Sequence, residues 1–184
     1  VATNLSNLGD LLLEKRESAE ALSLQRRALD LRRAALGPDH IEIALNLHKL
    51  GLIELRSGDP SAALAYYEEA VPMARRTVSE ESFQLGLIVL GEASVRVALG
   101  QVKVATERVE VARAVLETAL SPDHWANQFA RGLAGWCAAR AGDLEGAERL
   151  DEASRSLAAS RGEADGYVVF LAALSRDRTS ERTP

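Results

Sequence analysis

Apolar residues along this chain recur at helical spacing and are interrupted at regular intervals by glycine, proline and short capping residues. Between Ser18 and Ala35, the residues Ala21, Leu24, Ala28 and Leu31 fall on one stripe of a helix. Near the end, Tyr167, Phe170, Leu171 and Leu174 stand at i, i+3, i+4 and i+7. The pattern predicts helices near Ala2–Lys15, Ser18–Ala35, His40–Arg56, Pro60–Thr77, Glu81–Leu99, Asp123–Ala141 and Leu144–Ser160, with a last one near 163–174. The helix over Glu81–Leu99 is apolar on nearly every side, which predicts burial all round. The breaks have local chemistry. Gly37 can end a helix with positive φ, Pro38 stops its continuation, and Asp39 can cap the next helix. Asp59-Pro60 is a cap followed by proline in the first turn, where a missing N–H costs nothing.

These features repeat at one fixed step. Ala21 is echoed by Ala63, Ala105 and Ala147, and Ala28 by Ala70 and Ala112 with Ser154 in the fourth place, each step being 42 residues. Arg16, Gly58, Gly100 and Gly142 hold the place between the two helices of each unit. Leu8, Leu50 and Ala134 share a position with Glu92 as the exception, and Gly9, Gly51, Ala93 and Gly135 share the next. The turn Gly37-Pro38-Asp39-His40 returns two steps later as Ser121-Pro122-Asp123-His124, while the intervening turn is Ser79-Glu80-Glu81-Ser82. Small residues at such places let two helices approach closely. The chain is a row of four helical hairpins.

The residues Ala2 to Gly9, Glu20-Ala21-Leu22, Ala28-Leu29 and Leu36 to His40 carry a family resemblance. So do Ala44 to Gly51, Gly58-Asp59, Ala62-Ala63-Leu64, Tyr66-Tyr67, Ala70-Val71, Ser121 to His124, Gly142-Asp143 and Gly146-Ala147-Glu148. The chain resembles tetratricopeptide repeats of the long, 42-residue, kinesin-light-chain-like type. Its later units are similar to C-terminal repeats of bacterial serine/threonine kinases. The resemblance implies an all-α fold: a right-handed α-solenoid of stacked antiparallel helix hairpins with a C-terminal capping helix. The units would span about 1–37, 38–79, 80–121 and 122–161, the capping helix about 163–174, and a disordered tail 175–184. Pro72 falls inside a helix, so a kink and a local change in superhelix pitch are expected there.

Composition narrows the partners. Aromatic residues make up only 4% of the chain, as expected where alanine and leucine let helices stack in a row. A net charge of −5 argues against nucleic acid, and no run of ~18 uncharged apolar residues spans a membrane. A single cysteine, Cys137, allows no internal disulfide and reads as a small core residue rather than a nucleophile. With no leader pattern, a cytoplasmic location is expected. The chain begins at Val1 inside a first helix, which reads as a fragment of a larger protein.

Candidate chemistry is sparse. No phosphate-cradling loop, zincin helix, paired zinc cysteines or nucleophile elbow occurs. Adjacent acids such as Glu68-Glu69 and Glu80-Glu81 diverge on a helix instead of converging on a substrate. No catalysis, cofactor or metal is expected. His40 and His124 lie two repeats apart, and their recurrence belongs to the turn. Arg26, Arg27, Arg32 and Arg33 read as a solvated outer face, with a phosphate patch as the rival reading. Glu92 and Arg96 share one helix face; they form a buried pair open to a ligand, or else an exposed or self-satisfied ion pair. The second reading is favoured because an unpaired buried charge is costly. Tyr66, Tyr67, Trp125 and Trp136 read as packing residues, the two tyrosine hydroxyls reaching solvent or a carbonyl.

Stacked hairpins provide a concave surface that suits a peptide or partner helix. The resemblance places Ser6, Asp10, His48, Leu52, Leu87, Leu90, Ser94, Phe129 and Trp136 on it, together with Thr3 and Leu45. Family members that grip a C-terminal carboxylate use lysine, arginine and asparagine; the corresponding places here hold Ser6, Asp10, Lys49, Leu87 and Gly91, so that clamp is not reproduced. The expected function is a non-enzymatic scaffold binding a protein partner, serving a kinase-like effector domain upstream in a bacterial regulatory or signalling protein. The alternatives are a homodimer through the exposed N-terminal repeat face, and a small-ligand sensor around Glu92, Arg96 and Ser94.

Overall fold

The computed structural model describes residues 1–143, 145–162 and 165–180. Among these residues there are nine helices and no strand: α1 (Ala2–Glu14), α2 (Ser18–Leu36), α3 (Ile41–Arg56), α4 (Pro60–Thr77), α5 (Phe83–Ala98), α6 (Val102–Ala119), α7 (Trp125–Arg140), α8 (Gly146–Arg161) and α9 (Gly166–Ser180). Consecutive helices pair as hairpins α1–α2, α3–α4, α5–α6 and α7–α8, and each hairpin packs on the next. The odd-numbered helices also touch one another directly and so form an inner row. Helix α9 packs on α7 and α8. The fold is an all-α solenoid.

The small-residue ladders are the contact points. Ala21, Ala28, Ala63, Ala70, Ala105 and Ala112 are wholly buried. Opposite them, a Cβ at Gly135 would stand 2.7 Å from the Leu150 backbone nitrogen, and one at Gly51 would stand 2.5 Å from Cε2 of Tyr67. No ordinary side chain fits either place. Gly58, Gly100 and Gly142, between the helices of their hairpins, all have positive φ, and Arg16 holds the same left-handed conformation at φ 64°. Three units use the residue that adopts this conformation freely; the first uses an arginine at a cost.

Several expectations change in three dimensions. The buried face of α2 is Ala21, Gln25, Ala28, Leu29 and Arg32, whereas Leu31 is exposed. The helix is turned because Gln25 and Arg32 find buried polar partners on α1 and α3. Arg32 donates to Asn46 Oδ1 at 2.6 Å, so it does not belong to the solvated face that Arg26, Arg27 and Arg33 occupy. Asp39 does not cap α3. The cap is His40, whose Nδ1 accepts the Glu42 N–H at 3.1 Å, and His124 does the same for Ala126 at 3.2 Å. Asp39 instead pairs with Arg76 of α4 at 2.6 Å. The histidine ladder is therefore a capping ladder. Ser82 precedes α5 without making a side-chain cap.

Other elements fall where the pattern puts them. Asp59 caps α4 through the Ala62 N–H at 2.8 Å. Pro72 sits at an exposed position inside α4, which runs unbroken to Thr77, and its missing N–H deprives the Glu68 carbonyl of its helical donor. Helix α5 is buried on almost every position from Leu85 to Val97. Cys137 is buried in the core, and burial raises its thiol pKa. Helix α9 continues through Ser180, so residues 175–180 are helical and not an unstructured tail. The remaining tail, residues 181–184, lies outside the described residues, as does Leu144, the expected first residue of the helix observed as α8.

Two substitutions test this packing. Arg16→Gly relieves the left-handed strain and should raise the urea midpoint by an amount equal to about 0.5–1 kcal/mol. Gly135→Ala forces backbone apart at the α7–α8 contact and should lower stability by about 1–3 kcal/mol, measured in the same titration.

Candidate functional site

The inner row of helices lines a cleft of about 580 Å³. Its floor is leucine: Leu45, Leu52 and Leu55 of α3, with Leu87 and Leu90 of α5. Leu90 is buried in the core, while Leu45, Leu52, Leu55 and Leu87 are half-buried and leave apolar surface open. One end is aromatic. Trp125 and Phe129 of α7 face Tyr167 and Phe170 of α9, with ring centroids 4.5 Å apart for Trp125–Tyr167 and 4.8 Å for Phe129–Tyr167. The α9 side of the cleft is not a distant cap. Its first turn crosses the concave face until Gly166 lies against the Arg56 guanidinium at the end of α3.

Polar groups border the leucine floor. His48 is edge-on to Tyr67, whose hydroxyl lies 3.1 Å from the imidazole Nδ1 and donates to the His48 carbonyl at 3.3 Å. Gly91 has no side chain because both groups fill that space; a Cβ there would come within 2.7 Å of His48 Nδ1. Burial pushes the His48 pKa down to about 4, with the Lys49 ammonium adding to the shift. The imidazole is thus neutral near pH 7. Tyr67 is pushed up by burial, and Tyr167 is raised by the same cause to about 12.

At the other end the cleft meets a buried polar seam joining the first two hairpins. The Gln25 amide donates to the Ser6 carbonyl and to Asp10 Oδ1, each at 2.9 Å. Its oxygen accepts from Ser6 Oγ at 3.0 Å and from Asn46 Nδ2 at 2.9 Å. Lys49 closes the set, donating to Asp10 at 2.6 Å and to Ser6 at 3.0 Å. Every partner in this seam is used internally. Lys49, the one cation among the five places that correspond to the carboxylate clamp, is held by its own protein.

The structure brings together seven of the nine expected groove residues: Asp10, His48, Leu52, Leu87, Leu90, Ser94 and Phe129 all line the cleft, as does Leu45. Ser6 does not; it is buried in the polar seam. Trp136 is also buried, below Arg140, whose guanidinium stands 5.3 Å from its ring. Thr3 lies on exposed surface away from the cleft. Glu92 and Arg96 face away from it too. The Glu92 carboxylate is buried between Arg96, at 3.1 Å on its own helix, and Arg108 of α6, at 2.8 Å. The pair is buried and not exposed: one Glu92 oxygen takes both Arg96 bonds, and the other lies 2.8 Å from Arg108 Nε as an ion pair without a directed hydrogen bond. The contribution of Tyr167 and Phe170 to the cleft was not expected, since their spacing announced only a cap. The signal that could have shown it is the α9 sequence itself, where Tyr167 and Phe170 share one face and Val168 and Leu171 another.

Among the described residues, no cluster of three or more His, Cys, Asp or Glu side chains is placed to hold a metal. Among them too, no helix is long and apolar enough to cross a membrane.

Comparison with known proteins places this geometry. Residues 1–76 match the family model described as tetratricopeptide repeat. Among solved structures, the chain is similar to the nearly identical TPR-like repeats of a candidate kinesin light chain of Podosopora anserina. The TM-score is 0.72 at 17% identity, covering 98% of this chain and 97% of that one. A single-substitution variant of that protein matches at the same TM-score of 0.72 and 17% identity, over 97% and 96% of the two chains. At such identity the likeness is one of fold.

The depressed His48 pKa has a consequence for stability. The unfolded chain binds this proton below about pH 6.5, but the folded chain resists it down to about 4. Stability from this site is complete above pH 6.5 and falls as the pH drops toward 4, by on the order of 2–3 kcal/mol. Urea unfolding at pH 7 and pH 4.5 should show that loss in the wild type, and His48→Asn should reduce it by more than half. The carboxyls of Asp39 and Asp143 are held low by hydrogen bonds from Arg76 and Arg149.

Proposed function

We propose that this chain, whose first 76 residues are tetratricopeptide repeats and whose full length folds as a solenoid of that kind, is a non-catalytic scaffold that holds a segment of a partner protein in its concave cleft. Tetratricopeptide repeats generally mediate protein–protein interaction, and the fold is typically a scaffold. The observation that carries the reading is the open leucine floor. Leu45, Leu52, Leu55 and Leu87 present adjacent apolar surface at the bottom of a concave site, bordered by charges that are mostly paired internally. Such a surface gains from burying apolar anchors, while the polar rim fixes their register. The resemblance of the later units to kinase-associated repeats supports a regulatory role in the cytoplasm beside a kinase-like effector.

A second reading has its own observation. The outward face of α1 exposes Leu8 and Leu11, at 48% and 56%. That surface supports self-association through the first hairpin. Sedimentation velocity across a hundredfold concentration range decides it: a rise in mass that Leu8→Lys/Leu11→Lys abolishes supports the dimer, and a monomer throughout removes it.

The main reading is tested by capture of partners from source-cell lysate with the wild type and with Leu52→Asp/Leu87→Asp. Both positions are half-buried, so the variant should keep its helical circular dichroism while losing at least nine-tenths of the captured partner. Equal capture by both baits would overturn the cleft as the binding site.

A further inference from the structure

We propose that the aromatic end of the cleft accepts a helical partner segment carrying two aromatic side chains three residues apart, and that such a segment replaces the start of α9, which holds that place in the chain itself. The inference rests on the concave face being the binding face. Its basis is that the chain already displays an occupant. Helix α9 has two different faces. Val168 and Leu171 are buried, the latter in the notch left by Gly132 of α7, where a Cβ would approach within 2.5 Å of a Leu171 methyl. These two residues hold α9 to the core. Tyr167 and Phe170 are only half-buried and point into the cleft.

The contacts of those two rings define what the wall recognises. Tyr167 is tilted by 30° over Trp125 and meets Phe129 at 65°, edge to face, while Phe170 lies 6.1 Å from Phe129. Arg161 stands 5.2 Å above the Trp125 ring and 5.8 Å from Tyr167, and its Nε meets Asp165 at 2.8 Å. Asp165 in turn caps α9 by accepting the Tyr167 N–H at 2.9 Å. The pattern held against the wall is an acid, an aromatic two residues later, and a second aromatic three residues after that. Aromatic faces and edges are matched by geometry, not by identity, so a partner with the same spacing fits the same wall.

The internal segment fills only part of the site. The leucine floor beside it stays open, and about 580 Å³ remains between α9 and the inner helices. A tethered occupant competes at the effective concentration its connection imposes. An incoming helix with equivalent aromatic anchors overcomes that advantage by covering Leu45, Leu52 and Leu87 as well, which α9 leaves half-exposed. Exchange lifts the start of α9 with Val168 and Leu171, while the four hairpins go on packing on one another through contacts that do not involve α9, so occupancy can change without loss of the solenoid.

The test uses the 184-residue chain and a fluorescently labelled synthetic peptide copying residues 165–176. Anisotropy titrations compare the wild type with Tyr167→Ala/Phe170→Ala, in which the wall is vacated. The double variant should bind the peptide at least tenfold more tightly than the wild type. A peptide with alanine at both aromatic positions should bind the variant at least tenfold more weakly than the parent peptide. Equal affinity for the two proteins, no binding to either, or no preference for the aromatic peptide overturns the proposal. If circular dichroism shows that the double variant has lost its helices, Asp165→Ala, which uncaps α9 and keeps the Trp125 and Phe129 rings, takes its place under the same criteria. Failure here with partner capture still dependent on Leu52 and Leu87 removes only the exchange with α9. Capture indifferent to those leucines removes the cleft reading itself.

Discussion

Close packing of paired helices at small residues, against backbone at Gly135 and against the Tyr67 ring at Gly51, is the constraint on which the rest of this solenoid depends. At Ala21, Ala63 and Ala105 on the second helix of three hairpins, and at Gly51 and Gly135 on the first helix of two, space allows little or nothing beyond Cα. Close approach of this kind sets the angle within a hairpin, and stacking repeats that angle along the row. The inner row of α1, α3, α5 and α7 follows from it, and with the inner row comes a concave side. Local turn chemistry serves the same end: the left-handed residue between the helices of each unit lets the chain reverse within the short distance that the contact demands.

Where a ladder residue departs from the common pattern, its neighbours compensate. Glu92 stands in a position that is leucine or alanine in the other units, and Arg108 comes from the adjacent helix to share its charge with Arg96. Gln25 occupies the place that Tyr67 and Val109 hold one and two repeats later, and Ser6, Asp10, Asn46 and Lys49 gather around it. Buried polar groups of this sort contribute little net stability when satisfied and cost a great deal when not. The first interface between hairpins is thereby distinct from the later, more apolar ones. That distinction disfavours a slip of one unit against its neighbours, because no other register satisfies the same donors and acceptors.

The cleft inherits its character from these arrangements. Its polar end is occupied by the internal seam, its middle is leucine, and its far end is closed by aromatic rings from two helices that are separated in sequence by α8. Charges around it are mostly spoken for by ion pairs within the chain, such as Lys49 with Asp10 and Arg161 with Asp165. Shape and apolar surface are what remain for a partner to read.

Much of the architecture was legible from the residues alone. A 42-residue step in alanine and glycine positions specifies hairpins, because the contacts responsible lie within one unit and depend on nearby sequence. Helix ends were also readable, since caps and prolines act over a few residues; the error at Asp39 arose because two adjacent side chains, Asp39 and His40, could both reach a free N–H, and Arg76 on the far helix claimed the aspartate. The groove was less legible. Ser6 and Trp136 have the spacing of concave residues, but a buried glutamine draws the first inward and core packing encloses the second. Tyr167 and Phe170 enter the cleft because of where the last helix docks, which depends on the rotations accumulated over four hairpins and on the notch at Gly132. Periodicity, a property of neighbours, determined the repeat; curvature and the docking of α9, properties of the whole stack, decided which side chains face the cleft.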